Sequence, residues 1–167
     1  MSSNLASLLR AIMDRAEADT GSGGLFRANS NLITGIYASR GSQTLSFPYI
    51  TVDTFDTEDD TFQSDAVTTT ITFHVWIDAT ATGIDPVDRA SKILARLRGD
   101  AVKQSNRQPT YGFHRWVPQV ESGTMEWACS PMTRRGGTTA HEKDVYHFIE
   151  EYQVRQSNAT GISYTPA

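Results

Sequence analysis

The chain has very little cysteine, little lysine and no long apolar run. Its 167 residues include one cysteine, which cannot form a disulfide within the chain, so a small secreted scaffold held by disulfides is excluded. The first apolar stripe is interrupted by charged residues, and no window approaches the roughly 18 apolar residues that a membrane span requires. We therefore expect a soluble protein made in a reducing compartment, without a signal peptide.

Length and composition indicate one ordinary globular domain. A domain takes about 100 to 200 residues, and 38% hydrophobic with 20% charged residues is typical of a soluble fold. We place the domain at residues 1–156 and expect a C-terminal tail over 157–167. The net charge of −4 argues against a dedicated nucleic-acid-binding domain, because phosphate contacts normally leave such a domain basic.

Charge is unevenly distributed along the chain. Residues 41–88 contain nine acidic residues and no Lys or Arg, whereas residues 89–135 contain nine basic and three acidic residues. Two interpretations stay open: these charges pair within one fold, or they form complementary faces that join copies of the chain. Twelve of the fifteen basic residues are Arg, the cation better suited to interfaces. The second interpretation predicts interface residues in both groups: Asp56, Glu58, Asp59, Asp60, Arg89, Arg96, Arg98, Arg134 and Arg135.

The first helical pattern lies near the start of the sequence. Apolar residues recur at intervals of three and four along residues 5–16, the spacing of a helix buried on one side. The Gly- and Ser-rich stretch 20–24 ends this pattern. We therefore predict a helix from about Asn4 to Asp19.

A second helix is predicted in the middle of the chain. Asp85 is placed to cap its start, and Pro86 lies in its first turn. An apolar stripe follows over residues 87–97. The pattern leaves two possible ends, Gly99 or a position near Val102.

Six segments have strand character, being rich in β-branched and aromatic residues. The clearest is Val67 to Ile77, where apolar residues alternate with polar ones. The polar stretches Asp56 to Ser64 and Arg134 to Thr139 are predicted as loops that join strands. The six predicted strands are 36–38, 45–55, 67–77, 112–121, 125–131 and 144–155.

The predicted order of elements is α-β-β-β-α-β-β-β. Strands joined by hairpins, with helices between the groups, form an α+β domain. We expect a single domain with a mainly antiparallel sheet and two helices packed on one face.

No residue pattern indicates catalysis, a cofactor or a metal site. The four histidines have no metal-binding spacing, and His74 is favoured as a surface or interface residue over a ligand. Cys129 is predicted to pack as a small apolar residue. The alternative, a nucleophile, requires a neighbouring base such as His114. The alternating acids of 56–60 lack the glycine and glutamate of a calcium loop.

Five segments recur here in an order known from one protein family. They are the helix 5–12 (LASLLRAI), the strand Ile36–Tyr37, the strand 47–52 (FPYITV), the strand 73–78 (FHVWID) and the helix 85–97. With these segments the chain resembles the tail-terminator, or tail-completion, proteins of long-tailed bacteriophages over about residues 4–155. It departs from the family pattern in the length of its 103–142 region and in its acidic hairpin loop.

The resemblance implies a non-enzymatic structural protein in the tail-neck region of a virion. Such a protein forms a ring, usually a hexamer, that caps the tail tube and stops its polymerisation. The implied partners are further copies of the chain, the tail tube protein and a head-completion or connector protein. DNA would pass through the lumen without sequence-specific binding, and no membrane is involved. In this ring we expect the acidic loop at the lumen or the tube-facing rim, and Arg134 and Arg135 at carboxylates of a neighbouring chain.

Two alternatives remain at this level. The first is another ring protein of the neck or tail tube. The second is a small α+β enzyme or ligand-binding domain whose curved sheet holds a pocket, which convergent buried polar residues would favour.

Overall fold

Two helices and six strands follow the predicted order α-β-β-β-α-β-β-β in the computed structural model. The structure describes residues 5–28, 31–38, 45–58, 67–80, 83, 85–100, 108–119, 127–142 and 144–158. The tail expected over 157–167 begins inside the last strand, and residues 159–167 lie outside the described part. The elements are α1 (Leu5–Glu17), β1 (Gly35–Ala38), β2 (Tyr49–Glu58), β3 (Val67–Asp78), α2 (Pro86–Arg98), β4 (Trp127–Cys129), β5 (Thr133–Glu142) and β6 (Val145–Asn158).

The six strands form one sheet in the order β1-β2-β3-β6-β4, and β5 also pairs with β6. Only β1 and β2 run parallel among the described pairs, whereas the other four pairs are antiparallel. One edge of β6 lies along β3, and its other edge is shared by β4 and β5. The expected α+β fold with a mainly antiparallel sheet is therefore confirmed.

Both helices pack on the same face of the sheet, which we call the covered face. Along β3, buried and half-buried residues alternate strictly, because successive side chains of a strand point to opposite faces. The buried set joins the apolar sides of α1 and α2 in one core that includes Leu8, Ile12, Ile71, Phe73, Val75, Ile93 and Leu97.

The opposite face, which we call the open face, is turned away from both helices. It is formed by every second residue of the three long strands, as the strand register requires. Its members are Tyr49, Thr51, Asp53 and Phe55 of β2, the even-numbered residues from Thr68 to Asp78 of β3, and the odd-numbered residues from Val145 to Arg155 of β6.

The predicted start of α2 is confirmed, and the structure shows which of the two predicted ends the helix has. The Asp85 carboxylate accepts a hydrogen bond from the Val87 backbone N–H at 2.9 Å, with Pro86 in the first turn. The helix ends at Gly99, whose φ is 90° and whose N–H donates to the Ala95 carbonyl. This left-handed residue ends the helix before Val102.

The strand predicted over 112–121 is wrong for its described part, residues 112–119, which form turns and irregular structure. Gly112 and Arg115 both have positive φ angles, 80° and 68°, and such residues interrupt an extended chain. Phe113 between them is fully buried. Its aromatic character therefore reflects packing in the core rather than membership of a strand.

The loop predicted over Arg134 to Thr139 is also wrong, because these residues belong to β5 and pair with β6. The strand lacks apolar alternation because its covered-face positions include Arg134 and Gly137. A Cβ at Gly137 would press on the Arg134 guanidinium and the Glu150 carboxylate. The glycine thus leaves room for an ion pair where a core residue is normally found.

The strand β2 runs past Asp56, the residue at which the acidic loop was predicted to begin. Asp56 and Glu58 extend β2 and pair with Thr69 and Val67 of β3. The antiparallel pairing of β2 with β3 confirms the hairpin. The rest of the predicted loop, residues 59–64, lies outside the described residues.

Candidate functional site

The predicted acidic interface residues fall at the end of the β2–β3 hairpin. Asp56 lies on the covered face, where its Oδ1 accepts a hydrogen bond from the Thr69 hydroxyl at 2.7 Å. Glu58 is the last residue of β2. Asp59 and Asp60 lie outside the described residues. Asp56 therefore has a partner within its own chain.

Two predicted interface arginines converge on one buried carboxylate. Glu150 of β6 is 1% exposed. Arg98, at the end of α2, donates from Nε to its Oε1 at 3.0 Å. Arg134 of β5 donates from Nε to Oε2 at 2.9 Å and from Nη2 to Oε1 at 3.0 Å, and the Tyr152 hydroxyl donates to Oε2 at 3.1 Å. This cluster ties α2 and β5 to the sheet.

The electrostatics of the cluster favour the charged carboxylate. Burial alone raises the pKa of Glu150, but hydrogen bonds from Arg134 and Arg98 outweigh it and lower that pKa below its ordinary value. The hydrogen bond to Glu150 raises the pKa of Arg134. Burial, followed by the nearby carboxylate, raises the pKa of Tyr152. The tyrosine thus remains a hydrogen-bond donor.

A third predicted arginine is held inside the chain by Asp19, which follows α1. Arg96 donates from Nε to Asp19 Oδ2 at 2.7 Å and from Nη2 to Oδ1 at 2.5 Å, a two-point pair. Its guanidinium also lies 3.4 Å from the centre of the Tyr111 ring, within the range of a cation–π contact. This arrangement fixes the loop after α1 against α2.

A cleft of about 770 Å³ opens beside this pair. Arg15 of α1 stands in it with its guanidinium 4.7 Å from the centre of the Trp116 ring. Its Nε and Nη2 donate to the carbonyls of Gly112 and Pro109 at 2.7 and 2.8 Å. Burial lowers the pKa of Arg15 to about 10. Sequence reasoning did not single out Arg15, because its partners lie more than 90 residues away.

The remaining two predicted interface arginines, Arg89 and Arg135, make weaker contacts within the described part of the chain. Arg89 Nε reaches the Leu32 carbonyl at 3.4 Å. Arg135 stands at a register shift of β5 between Arg134 and Gly136, and its side chain is exposed. Within the described ranges, Arg135 has no ion-pair partner. It is the predicted arginine most available to another molecule.

The open face carries a network of polar and aromatic side chains that was not predicted from the sequence. His74 Nδ1 lies 2.7 Å from His147 Nε2, and His74 Nε2 lies 3.0 Å from Asp53 Oδ2. The His147 ring stacks on Trp76 with 3.7 Å between centres and 9° between planes. Trp76 in turn donates from Nε1 to the Thr51 hydroxyl at 3.1 Å.

Further rings extend this network along the edge of the sheet. Tyr49 stacks on Trp76 at 6.2 Å and contacts Phe47 and Tyr37 at 5.4 and 6.3 Å between ring centres. The unusual polar-face tryptophan of β3 is the sequence signal that marks this surface. Its partners could not be paired from the sequence, because His74 and His147 are 73 residues apart.

Cys129 is 4% exposed and belongs to the hydrophobic core. Burial raises the pKa of its thiol to about 12, so the protonated form predominates near neutral pH. His114, the candidate base, accepts a hydrogen bond at Nδ1 from the Arg134 backbone N–H at 3.2 Å. Burial is the main cause that lowers the pKa of His114. The packing role predicted for Cys129 agrees with these surroundings.

The part of the chain that the structure describes contains neither a metal-ligand cluster nor a membrane-spanning helix. No three His, Cys, Asp or Glu side chains come together there as metal ligands. Neither described helix has the length and apolar character needed to cross a membrane.

Comparison with known proteins gives matches among solved structures. No family model matches the chain, and no curated protein matches it. The chain is similar to a solved structure described as "Virion of native gene transfer agent (GTA) particle", with a TM-score of 0.48 and 11% identity. The match covers 90% of this chain and 98% of that chain. At this level of similarity, the likeness carries no inference about function.

Proposed function

We propose that the chain is a structural virion protein whose copies form a ring, most simply a hexamer, that caps a phage tail tube and joins it to the neck. The observation that carries this proposal is the placement of the five family-like segments. They fall on α1, β1, β2, β3 and α2 in the expected order, and both helices pack on one sheet face. This agreement supports the family resemblance at the level of fold.

The surface of the open face also supports an assembly role. Phe55 is 67% exposed there, on the same face as the aromatic network around Trp76 but six residues further along the sheet. Large exposed apolar side chains beside polar ones are typical of surfaces that meet other proteins. A closed ring can cover such surfaces through repeated head-to-tail contacts without forming an endless filament.

Complementary charge would determine how neighbouring copies align in the ring. The acidic residues of 41–88 in one copy would face the basic residues of 89–135 in the next. Arg96, Arg98 and Arg134 already pair with Asp19 and Glu150 within the chain. We therefore assign the intersubunit role first to the exposed Arg135 and to Arg89.

Native mass spectrometry and sedimentation velocity of the purified chain test the ring. We expect one discrete closed species, with six copies as the leading value, that dissociates as salt rises. Single exposed ion pairs contribute only about 0.2 to 1 kcal/mol, so the salt effect must come from many contacts together. A monomer at every concentration and salt level would contradict the proposal.

The position in the particle is tested by complementation in a phage that lacks this protein. Arg135→Ala should reduce the number of heads joined to tails of normal length. A second variant replaces Asp56, Glu58, Asp59 and Asp60 by Asn or Gln and should have the same effect. Arg134→Ala is the control for fold damage, because Arg134 pairs with the buried Glu150 of its own chain and its loss weakens the fold without removing an exposed contact. Normal assembly by both test variants would reduce these segments to connectors.

Imaging of the same particles separates the terminator role from the alternative of another neck or tube ring. A terminator should appear as one ring between the tail tube and the head-completion proteins. Tails that grow beyond their normal length without the protein are expected for a terminator only. Tails of normal length that fail to join heads would indicate a neck protein instead.

One observation favours a ligand-binding domain as the second candidate. The cleft of about 770 Å³ lies in the size range of small-molecule sites. Its wall combines Arg10 and Arg15 with Asp14, Asp19 and the Trp116 ring, a mixed lining that suits a small polar compound with an aromatic or planar part. Saturable quenching of tryptophan fluorescence by such compounds, lost in Arg15→Ala and retained in Arg135→Ala, would support this candidate.

A further inference from the structure

Strand β5 has one paired edge and one outer edge. Its paired edge lies along β6, and no other strand pairs with β5 among the described residues. The turn 112–116 covers only the beginning of the outer edge, where the Arg134 N–H donates to His114 Nδ1 at 3.2 Å. Further along the strand, residues 137–139 and His141 are exposed. The outer edge is therefore accessible over most of its length.

The pairing with β6 determines where the backbone groups of β5 point. The Arg155 N–H donates to Ser130 Oγ at 2.9 Å, and the Arg155 carbonyl accepts from the Ser130 N–H at 2.8 Å. Ser130 follows β4, which lies on the same edge of β6 as β5. Because bonding directions alternate along a strand, the odd-numbered residues of β6 bond toward β5. Gly137, Thr139 and His141 lie opposite even-numbered residues, so their N–H and C=O groups point outward.

The outer edge thus offers three N–H donors and three C=O acceptors, at Gly137, Thr139 and His141. These groups have no hydrogen-bond partner in the described part of the chain. Proteins usually protect an edge strand with a proline, a lysine, a bulge or a covering element. Residues 136–142 contain neither proline nor lysine, and the register shift of β5 lies before them. This edge is a template for another strand.

We propose that the outer edge of β5 binds the same edge of a second copy of the chain, antiparallel and about a two-fold axis at Thr139. In this register Gly137 of one copy lies opposite His141 of the other, and the two Thr139 residues face each other. The three outward N–H groups of each copy then meet the three outward C=O groups of the other, which gives six backbone hydrogen bonds. The edge is therefore complementary to itself.

The side chains along the edge allow this close approach. Residues 136–140 are Gly-Gly-Thr-Thr-Ala, so the centre of the contact contains only small, uncharged residues. His141 lies opposite Gly137 of the second copy, which has no side chain to obstruct it, and threonine opposite threonine is a favourable pair. The chain turns back into β6 after Glu142, so the contact ends before the turn 112–116 of the second copy.

This inference does not depend on the proposed ring. A two-fold contact joins equivalent surfaces, whereas the proposed ring uses head-to-tail contacts between different surfaces. Salt separates the two, because it screens exposed charges and has little effect on hydrogen bonds between backbone groups. We therefore expect a dimer at high salt, where the ring proposal predicts dissociation.

Sedimentation velocity and native mass spectrometry of Thr139→Pro at high salt test the contact. Proline removes an outward N–H and leaves the bonds to β6 in place, because the Thr139 N–H is not part of that pairing. We expect the dimer mass of the wild type to halve. Thr139→Ala is the matched control, since it keeps the N–H and should keep the dimer. A monomeric wild type, or a dimeric Thr139→Pro variant that is folded by circular dichroism, would overturn the proposal.

Cysteine cross-linking tests the two-fold axis without removing any backbone group. Residues opposite each other in a hydrogen-bonded pair have Cα atoms about 5.5 Å apart, within the reach of a disulfide. Thr139→Cys should therefore form a covalent dimer under mild oxidation. Thr133→Cys, also exposed on β5 but far from the axis, should not, and the native Cys129 is buried. No covalent dimer from Thr139→Cys, or equal amounts from both variants, would contradict the two-fold contact.

Discussion

Gly99 and Gly112 lie with their backbones in direct contact, and each has a positive φ, 90° and 80°. A Cβ on Gly112 would overlap the backbone of Gly99, and a Cβ on Gly99 would overlap the Tyr111 carbonyl. Next to this contact, the Phe113 N–H donates to the Leu97 carbonyl at 2.7 Å. The two glycines thus join the end of α2 to the turn that places Phe113 in the core.

Alanine at Gly99 or Gly112 should destabilise the protein strongly, because it adds both left-handed strain and a steric clash. We expect a loss of about 2 to 4 kcal/mol in the free energy of unfolding, measured by urea denaturation. Gly83 is the matched control, since its φ is 82° but nothing lies within 4 Å of its Cβ position. Gly83→Ala should cost only about 1 kcal/mol. Equal losses at the three positions would show that the backbone contact contributes nothing.

Removing the buried carboxylate should be among the most damaging single changes in the sheet. Glu150→Ala leaves Arg98 and Arg134 without their partner and should cost about 3 to 5 kcal/mol, the usual effect of breaking a buried ion pair. Arg98→Ala should cost less, because its side chain is 46% exposed and Arg134 remains. Glu151→Gln, one residue along on the open face, is the control. A Glu150→Ala loss no larger than that of Glu151→Gln would contradict this role.

The same carboxylate should make stability depend on pH. The folded pKa of Glu150 lies below its ordinary value of 4.5, so the unfolded chain binds more protons in the interval between the two values. Its contribution is therefore complete above about pH 5.5 and is lost as pH falls through the folded pKa. Urea denaturation of wild type and Glu150→Gln should show a gap in unfolding free energy that is constant near neutral pH. That gap should narrow in acid, and one that widens there would show the opposite sign.

Cys129 should behave as an unreactive core residue. Because burial raises its thiol pKa to about 12, native protein should react with a thiol reagent near pH 8 only after unfolding. Cys129→Ala should leave assembly intact and cost about 1 kcal/mol of stability. Rapid labelling of the native protein, or lost assembly in a folded variant, would argue against this assignment.

Local sequence patterns predicted the helices and the central strand correctly. The apolar spacing of α1, the Asp85 cap of α2 and the alternation along β3 are set by residues within a few positions of one another. The predicted order of elements and the α+β class match the structure, although β5 takes the place in that order of the strand predicted over 112–121. Burial along α1 and β3 then agreed with the local period, and in α2 it agreed except at Val87, which is 52% exposed.

Weakly patterned segments needed the sheet to decide their structure. The Gly and Arg content of β5 indicates a loop when only its neighbours in sequence are considered. Pairing with β6 makes it a strand, because Arg134 meets Glu150 where other strands bury apolar residues. Conversely, aromatic residues near Phe113 suggested a strand, but Gly99 and Gly112 meet to make a turn there.

The amino-acid sequence by itself determined the two helices, the central strand, the α+β class and the uneven charge, because these depend on composition and short-range spacing. Only the tertiary structure decided which charges are used. It pairs Arg98 with Glu150 across 52 residues and His74 with His147 across 73. Such partners are set by strand register and helix packing over the whole sheet, and a one-residue change of register moves every side chain of a strand to the other face.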